Sequence, residues 1–520
     1  MNNRSNLRDR IHGTRQRATG WVLAYAILCV MTVFAPASAH AQTYSYTALH
    51  WFTGAPDGLY PDEGLVLDAQ GNLYGATYLG GVYNLNCSAG GCGAIFKVDT
   101  AGNESVLYNF TPATGYGQPS GSLVMDAQGN LYGTTQYGAA SNSGMLFKVD
   151  PAGNETDIYT FAGNGTGGSQ FPSAVVRGAH GNLFGTTDEG GTNGDGTVFK
   201  VDPSGNETVL YNFTNKLDGG MPMAGLVLDA QGNLYGTTRY GGAYLGGTVF
   251  KIDANGNETV LHSFGKVGDG VLPLASLIRD AKGNLYGTTY GAGGGSGCGG
   301  SGCGAVFKVT PAGTETVLYS FTGTGGDGAY PYASLVRDAK GNLYGTTFNG
   351  GAYGQGTVFK LDPAGHETVL YSFTGGLGGA NPSVAMTLDA QGDLYGTTSL
   401  GGVPTCDGNQ GCGIVFKLTP QATTKTALTS SPNPSTSGQL VAFTAVVTSK
   451  LGSPPDGEPV SFMKGKTVLG TGTLNGGSAT FATSTLKVGT NSVTAAYGGD
   501  SSFGGSKSKA VKQVVEKAVE

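Results

Sequence analysis

The sequence predicts an all-β protein, with a seven-bladed β-propeller closed by its N-terminal strand and a β-sandwich after it. Three observations lead to this fold class. Glycine provides 93 of 520 residues and charged residues only 12%, which is typical of β structures with many turns. A unit of 51 to 58 residues recurs seven times. The composition then changes after Thr419, where a second kind of domain begins.

Residues 1–41 are typical of an export signal. Five arginines precede an apolar run at 21–35, and Ala39 and Ala41 offer a cleavage site before Gln42. An uncleaved membrane anchor is the alternative, but a span needs about 20 apolar residues, so we favour cleavage. We therefore expect an extracellular or cell-surface protein, or a periplasmic one, with no membrane span after cleavage and with oxidised cysteines.

The repeat is defined by four markers that each occur seven times. The first marker is a segment of the "GNLYG" type. The others are a Phe-Lys pair, an "ETVLYSF"-type segment, and a proline before a "GLVLD"-type run. Copies of the first marker begin at Gly71, Gly129, Gly181, Gly232, Gly283, Gly341 and Gly392. Seven copies of one pattern indicate a single supersecondary unit repeated along the chain.

Each unit contains four short β-strand signals, in the order "GLVLD", "NLYGTT", "GTVFKVD" and "ETVLYSF". The "DAQGN" and "DPAGNE" connections place glycine beside Asp and Asn, as tight hairpins require. Four strands per unit predict one propeller blade, and an open solenoid is the competing architecture.

The two ends of the repeat region favour the propeller. Segment 46–52 is a lone fourth strand, and segment 413–419 is a last third strand without a fourth strand after it. In a closed ring, the first segment completes the last blade and removes an exposed sheet edge. We therefore predict a closed seven-bladed propeller over residues 42–420.

The repeats resemble a known family. Segments such as "GNLYGTT" and "GGTVFKVDPSGNETVLYNF" are similar to the tandem repeats of the exported bacterial proteins called choice-of-anchor tandem repeat GloVer-containing proteins. The similarity covers almost all of residues 46–419. It implies export and, usually, a C-terminal surface anchor or module, and it implies no established enzymatic activity.

A second domain is predicted after the repeats. A linker at 421–425 leads into residues 426–520, where six or seven short alternating strands suggest a β-sandwich. Segments such as "SSPNPSTSGQLVAFTAVVTS" and "GTNSVTAAYGGDSSF" are similar to bacterial Ig-like domains of the group 3 type. The similarity implies an Ig-like sandwich of the kind found in large surface proteins.

No catalytic, metal-binding or cofactor-binding constellation is predicted. The histidines after residue 41 occupy different slots of the repeat, whereas a zinc site needs converging ligands. The recurrent aspartates occupy hairpin turns, and no loop has the alternating oxygen ligands of a calcium site. Since the formal net charge is −6 and no basic stripe is present, nucleic acid is not expected as a partner.

Candidate ligand-binding residues follow the second strand of each unit. The frame is constant there but the side chains differ, and all seven loops leave the same face of the predicted ring. Aromatic rings beside polar groups can bind sugar or peptide; the alternative is that these rings only cover neighbouring loops. The candidates are Tyr78, Tyr137, Glu189, Arg239, Tyr240, Tyr290 and Phe348.

The cysteines of the repeats occur only in the three units with a long second-to-third loop. Between the "GNLYG" glycine and the Phe-Lys pair the spacing is 18 residues in four units and 24 or 25 in those three. Separate pairs without a Cys-x-x-Cys motif favour local disulfides over a shared metal site. The predicted pairs are Cys87 with Cys92, Cys298 with Cys303, and Cys406 with Cys412.

We therefore expect an exported, non-enzymatic binding or surface-interaction protein, with the propeller as platform and the Ig-like domain as spacer or docking unit. Its partner would be an extracellular glycan, a peptide or another surface protein. One alternative is an extracellular carbohydrate-active enzyme, a lyase or hydrolase, with its site at the central opening of the propeller. Another is a purely structural component of the cell envelope.

Overall fold

A computed structural model describes residues 43–82, 91–111, 117–138, 143–162, 168–292, 298 and 302–518, apart from the side chains at 168–171. The export signal predicted at 1–41 and Cys87 lie outside these residues. The described chain consists of β-strands joined by turns, with short 3₁₀ segments at Ala179–Gly181, Gly376–Gly378 and Asp407–Asn409. In that part of the chain, no helix is long and apolar enough to cross a membrane.

Seven antiparallel sheets, numbered 1 to 7 along the chain, follow the repeats in the described residues. Their first strands are Val66–Leu67, Pro119–Met125, Val176–Arg177, Val227–Leu228, Ile278–Arg279, Val336–Arg337 and Thr387–Leu388. Their second strands are Leu73–Thr77, Leu131–Thr135, Leu183–Gly190, Leu234–Thr238, Leu285–Thr289, Leu343–Thr347 and Leu394–Thr398. Two short additions, Gly168–Pro172 in sheet 3 and the pair Gly328–Ala329 with Asn349–Gly350, lie beside this pattern.

The third and fourth strands complete each sheet. The third strands are Ala94–Val98, Met145–Val149, Thr197–Val201, Thr248–Ile252, Ala305–Val309, Thr357–Leu361 and Ile414–Pro420. The fourth strands of sheets 1 to 6 are Glu104–Asn109, Glu155–Thr160, Glu207–Asn212, Glu258–Ser263, Glu315–Ser320 and Glu367–Ser372.

Sheet 7 takes its fourth strand from the other end of the repeat region. Tyr44–Trp51 pairs antiparallel with Ile414–Pro420, so that Tyr44 lies opposite Pro420 and Trp51 opposite Ile414. The hydrogen-bonding edge of the last third strand is thereby covered, as the sequence predicts for segments 46–52 and 413–419.

Edge-to-face pairs of buried phenylalanines join successive sheets. Phe110, just after the fourth strand of sheet 1, contacts Phe147 in the third strand of sheet 2 with ring centroids 5.1 Å apart. Phe52 and Phe96 make the same contact between sheets 7 and 1, at 5.0 Å. The other junctions are held by Phe161–Phe199, Phe213–Phe250, Phe264–Phe307, Phe321–Phe359 and Phe373–Phe416. This geometry suits the charge distribution of aromatic rings.

The glycine of each "LYG" motif ("LFG" in sheet 3) makes room for the third-strand phenylalanine of the same sheet. A Cβ atom on Gly236 would lie 2.6 Å from Cζ of Phe250, and the equivalent distances in all seven sheets are 2.5 to 2.7 Å. A close-packed core cannot accept such an overlap. The glycine and the phenylalanine are therefore one packing unit, although they lie on different strands.

An aspartate fixes the first hairpin of most sheets. Oδ1 of Asp229 accepts the backbone N–H groups of Gln231 and Asn233, and Oδ2 accepts the Asn233 amide and the Tyr235 hydroxyl at 2.9 and 3.1 Å. Burial by itself would raise the pKa of Asp229, but these hydrogen bonds bring it below its ordinary value. In sheet 3, Gly178 stands in place of the aspartate.

Polar contacts connect the fourth strands of neighbouring sheets. The Tyr159 hydroxyl donates to Glu207 at 3.0 Å. At another junction Tyr211 donates to the loop residue Asp218 at 3.1 Å, beside Glu258. Oε1 of Glu258 is buried without a hydrogen-bond partner. Burial, followed by the charge of Asp218, raises the pKa of Glu258 to about 7.

The contact between the fourth strands of sheets 6 and 7 is different. Tyr46 occupies the slot that glutamate fills in the other copies, and its ring stacks on Tyr371 with centroids 4.2 Å apart. An aromatic stack thus replaces the Tyr–Glu hydrogen bond at the junction that includes the N-terminal strand.

Threonines make a third set of contacts between sheets. The Thr186 hydroxyl of sheet 3 donates to the Ala224 carbonyl ahead of the first strand of sheet 4, at 3.0 Å. Thr397 of sheet 7 donates in the same way to the Pro61 carbonyl ahead of sheet 1, at 2.6 Å. The contacts between sheet 7 and sheet 1 are thus of the same kind as those between consecutive sheets.

The residues after the repeats form two sheets around one core. One sheet contains Thr424–Ser431, Val441–Ser449 and Ser478–Thr483, and the other contains Ser435–Thr436, Pro459–Lys464, Thr467–Thr473, Gly489–Gly499, Gly504–Lys507 and Val511–Glu516. Buried and outward-facing residues alternate along Val441–Ser449. Phe443, Val460 and Val493 from both sheets meet in this core, as in a β-sandwich.

The predicted linker at 421–425 is partly structured. Its last two residues already belong to the strand Thr424–Ser431. Its start is held as well: the Gln421 N–H donates to the Thr43 carbonyl at 2.8 Å, and the Ala422 N–H donates to the Ser502 carbonyl at 2.8 Å. Because these backbone groups are paired, the connection is not a free spacer.

We predict that Gly236→Ala lowers the free energy of unfolding by about 1–3 kcal/mol, because the added methyl group overlaps the Phe250 ring in a packed core. Phe250→Leu removes the ring edge that causes the overlap. The double variant should therefore lose less stability than the two single changes added together. Denaturant titration of the four proteins measures this coupling, and strict additivity would contradict the pairing.

We predict that the stabilising contribution of Glu258 falls as pH rises from about 4.5 to about 7. Its folded-state pKa of about 7 lies above its ordinary 4.5, so the folded protein binds more protons than the unfolded chain in this window. The melting temperature of the wild type minus that of Glu258→Gln should decrease between about pH 5 and about pH 8. A constant difference would show that burial and the charge of Asp218 do not raise the pKa of this carboxyl.

Candidate ligand-binding site

Residues that follow the recurring prolines of all seven sheets line one open cavity of about 200 Å³, here called the seven-sheet cavity. Each contributing segment precedes or begins the first strand of its sheet. Most of the side chains are small, so the segments approach one another closely. They include Ser120, Ser122, Ser173, Ala174, Ala224, Ala275, Ser276, Ala333, Ser334, Ser383 and Ala385.

Carboxyl groups interrupt this lining. Glu63 is 9% exposed, and burial, with the charge of Asp62 also contributing, raises its pKa well above the ordinary value. Asp62 is bound by the hydroxyls of Ser383, at 3.1 Å, and Ser399. On sheet 3, burial and then the charge of a neighbouring glutamate raise the pKa of Asp188 to about 7, and its Oδ1 is buried without a hydrogen-bond partner.

A second cavity of about 290 Å³, here called the aromatic pocket, adjoins the first and shares Met223, Leu274 and Tyr332 with it. It is lined by Met223, Arg239, Leu272, Leu274, Tyr290, Tyr332 and Phe348. The Tyr290 ring makes an edge contact with Tyr332, with centroids 6.1 Å apart. All the residues that line the aromatic pocket come from sheets 4 to 6.

Arg239 is the one cation among the described residues that line the two cavities. Its guanidinium carbon lies 4.8 Å from the centroid of the Tyr240 ring. Nη1 approaches the Met223 sulfur at 3.5 Å, and Nε is buried without a hydrogen-bond partner. A thioether is a weak acceptor, so Nε has no partner and Nη1 has only a weak one among the described residues.

Tyr332 connects the two cavities electrostatically. Burial raises the pKa of its hydroxyl, Arg239 opposes the increase, and the charges of Asp62 and Glu63 add to it. Tyr332 lines both cavities, so its hydroxyl interacts electrostatically with the cation on one side and the acids on the other. The joined cavities thus have an aromatic side with one cation and a hydroxyl-rich side with carboxyl groups.

The backbone explains why Arg239 and Tyr290, each directly after a second strand, reach the aromatic pocket. The N–H of Arg239 bonds to the Met221 carbonyl at 3.1 Å, and that of Tyr290 to the Leu272 carbonyl at 3.0 Å. Met221 and Leu272 have φ of 54° and 57°, a left-handed conformation that side-chain-bearing residues rarely adopt. This turn brings each loop beside the proline segment that lines the cavity.

The structure brings together three of the seven sequence candidates, Arg239, Tyr290 and Phe348, in the aromatic pocket. Tyr240 lies beside that pocket, under the Arg239 guanidinium.

The remaining three candidates do not line either cavity in the described structure. The Tyr78 hydroxyl bonds to the Gln136 side chain at 2.8 Å, and the carbonyl of Tyr137 accepts the Thr135 hydroxyl. Glu189 lies opposite Gln170 in sheet 3. Since side chains alternate across a strand, the lining residues of sheets 2 and 3 are the preceding Gln136 and Asp188.

Sequence reasoning missed Asp62, Glu63 and Tyr332. All three follow a recurring proline, where the other copies carry mostly Ser, Ala, Gly, Val, Met or Leu. Comparing the seven copies at this position would have identified an acidic pair and an aromatic ring as departures from the repeat.

Two predicted cysteine pairs are disulfides in the structure. Cys298 is bonded to Cys303 and Cys406 to Cys412, with Cα–Cα distances of 5.4 and 5.6 Å. Cys92 is also disulfide-bonded, and its predicted partner Cys87 lies outside the described residues. Among the described residues, no group of three or more His, Cys, Asp or Glu side chains is placed to hold a metal ion.

Comparisons with solved structures find distant similarities. The extracellular domain of a one-component system from B. thetaiotaomicron is 13% identical, with a TM-score of 0.45, and the alignment covers 90% of this chain. The chain spans only 58% of that protein's length. A protein of unknown function from Dyadobacter fermentans DSM 18053 is 11% identical, with a TM-score of 0.37, covering 72% of this chain and 98% of that one. No curated protein matches the sequence.

Comparison with protein families gives a definite result. The model of the Gloeobacter/Verrucomicrobia repeat matches residues 32–171, 163–326 and 296–452, and the model of the bacterial Ig-like domain (group 3) matches residues 428–516. The chain therefore belongs to the Gloeobacter/Verrucomicrobia repeat family and carries a bacterial Ig-like domain of group 3 after its repeats.

Proposed function

We propose that the protein is exported and acts as a non-enzymatic surface-interaction protein, which binds an extracellular partner in the aromatic pocket and the seven-sheet cavity. The observation that carries this proposal is the wall of Tyr290, Tyr332 and Phe348 around a guanidinium with unused donors. Concave sites of this kind, apolar with a few convergent polar groups, are where proteins bind small ligands.

The proposal includes a closed seven-bladed β-propeller. The N-terminal strand in sheet 7 supports closure, as does the Phe52–Phe96 contact between the last sheet and the first. The lining of a single cavity by all seven sheets adds further support. In this architecture the site lies at the central opening, on the face where the second strands end.

Export is supported by the disulfides and by the combination of the repeats with an Ig-like domain. Disulfide bonds persist in oxidising compartments and are rare in the cytosol. A chain with local disulfides, an Ig-like domain and the export signal predicted from its sequence is suited to the cell surface. The Ig-like domain would present the propeller there or dock it to a neighbour.

One observation favours a second candidate function, that of an extracellular polysaccharide lyase or hydrolase. Glu63 and Asp188 both line the seven-sheet cavity, and burial raises the pKa of each. Carboxyl groups whose pKa is raised by burial can serve as general acids on a glycosidic oxygen.

We predict that an array of glycans and peptides will identify a ligand that the wild type binds and that Tyr290→Ala binds at least about tenfold more weakly, because a buried aromatic anchor contributes about 2 kcal/mol or more. Tyr353→Ala is the matched control: Tyr353 is 61% exposed and outside both cavities. Equal losses in the two variants, or self-association without any ligand, would contradict binding at this site.

We predict that the protein releases no reducing ends and no unsaturated sugars from polysaccharides that it binds. Glu63→Gln should therefore match the wild type in this assay, with circular dichroism confirming that it folds. Turnover that is present in the wild type and lost in Glu63→Gln would replace the binding function with the enzymatic one.

A further inference from the structure

We infer that the aromatic pocket recognises a carboxylated sugar, such as a uronate unit of a polysaccharide, and that Arg239 receives its carboxylate. This inference rests on the binding function proposed above and adds the chemical class of the ligand.

The first argument is the state of the Arg239 side chain. No carboxylate of the described residues lies within ion-pair distance of it, since the ion pairs found there involve other cations. Its Nε–H has no acceptor, and Nη1 faces only a thioether sulfur. A buried donor without an acceptor is costly to maintain. A carboxylate that enters the pocket could accept two parallel hydrogen bonds from the planar guanidinium group of Arg239.

The position of Arg239 makes it suitable for an external anion. The Tyr240 ring supports the guanidinium from one side at 4.8 Å, which limits its freedom before a ligand arrives. The other three arginines of sheets 3, 5 and 6 also lie over tyrosine rings, at 5.6 to 6.0 Å. They are the last residues of first strands rather than residues at second-strand ends. None of them lines either cavity.

The second argument concerns the remainder of the ligand. Tyr290, Tyr332 and Phe348 offer aromatic surface against which the C–H face of a sugar ring can lie. The adjoining seven-sheet cavity offers hydroxyls, including Ser276 and Ser334, instead of further apolar surface. Hydroxyls of a sugar match this second surface, whereas the apolar side chains of a peptide do not. We therefore favour a sugar over a peptide that ends in a carboxylate.

The nearby acids are compatible with an anionic ligand. Asp188 and Glu63 have raised pKa values because they are buried, so a protonated carboxyl can donate a hydrogen bond to a sugar oxygen. Guanidinium groups keep their positive charge in proteins. The joined cavities therefore combine the Arg239 guanidinium with acids that carry less charge than surface carboxylates would.

The test is isothermal titration of the full chain with the hexamer of α-1,4-linked galacturonate and with its methyl ester, which has the same ring and no charge. We expect the acid to bind at least about tenfold more tightly than the ester, and Arg239→Gln to abolish that preference. Arg239→Lys should lose part of it, because an ammonium keeps the charge without the fork. Arg337→Gln, which removes an arginine over a tyrosine elsewhere, is the matched control and should bind as the wild type does.

The outcomes separate this inference from the proposed function. Equal affinity for acid and ester, or full binding by Arg239→Gln, overturns the inference, and if Tyr290→Ala still weakens binding the proposed function stands. Binding of a peptide that ends in a carboxylate, without binding of the hexamer, also overturns it. Failure of both the titration and the wider array to find any ligand sensitive to Tyr290→Ala removes the proposed function itself.

Discussion

The edge-to-face phenylalanine pair at each sheet junction, seated over a glycine with no room for a side chain, is the contact on which the rest of the structure depends. It sets the distance between neighbouring sheets, and the same pair recurs where the last sheet meets the first. Because the spacing is fixed by interior ring pairs such as Phe213 and Phe250, the loops beyond the strand ends can change without disturbing it. A repeat can therefore vary its loops and keep its frame.

The same repeat holds carboxyl groups in two opposite states. Asp229 accepts four hydrogen bonds in a hairpin, and its pKa falls even though burial opposes the change. Glu258, at the junction between sheets, has a buried oxygen without a donor and an acidic neighbour, and its pKa rises. The number of donors that reach each oxygen decides the sign. The hairpins hold charge, whereas the junctions disfavour it.

Local patterns in the sequence were sufficient to predict the strands, the hairpins, the partner of the N-terminal strand and two disulfides, because each depends on residues close together or on a regular repeat. The site was only half predictable. Arg239, Tyr290 and Phe348 were found because they vary in a constant frame. Glu63 and Tyr332, and Asp62 next to Glu63, were missed because they belong to another segment of the repeat. Packing between sheets brings Glu63 and Tyr332 of that segment into the cavities.

The two sides of the candidate site differ in chemistry because a small number of residues differ between nearly identical units. Sheets 4 to 6 supply the whole lining of the aromatic pocket, its large apolar side chains and Arg239. Glu63, Asp188 and most serines of the seven-sheet cavity come from the other sheets. If the variable positions served only to cover loops, each sheet would be free to carry any side chain, and apolar and polar residues would be mixed around the cavity. Their separation into two sides, with an unused guanidinium on one and protonatable acids on the other, is the arrangement expected when a single ligand touches both sides at once.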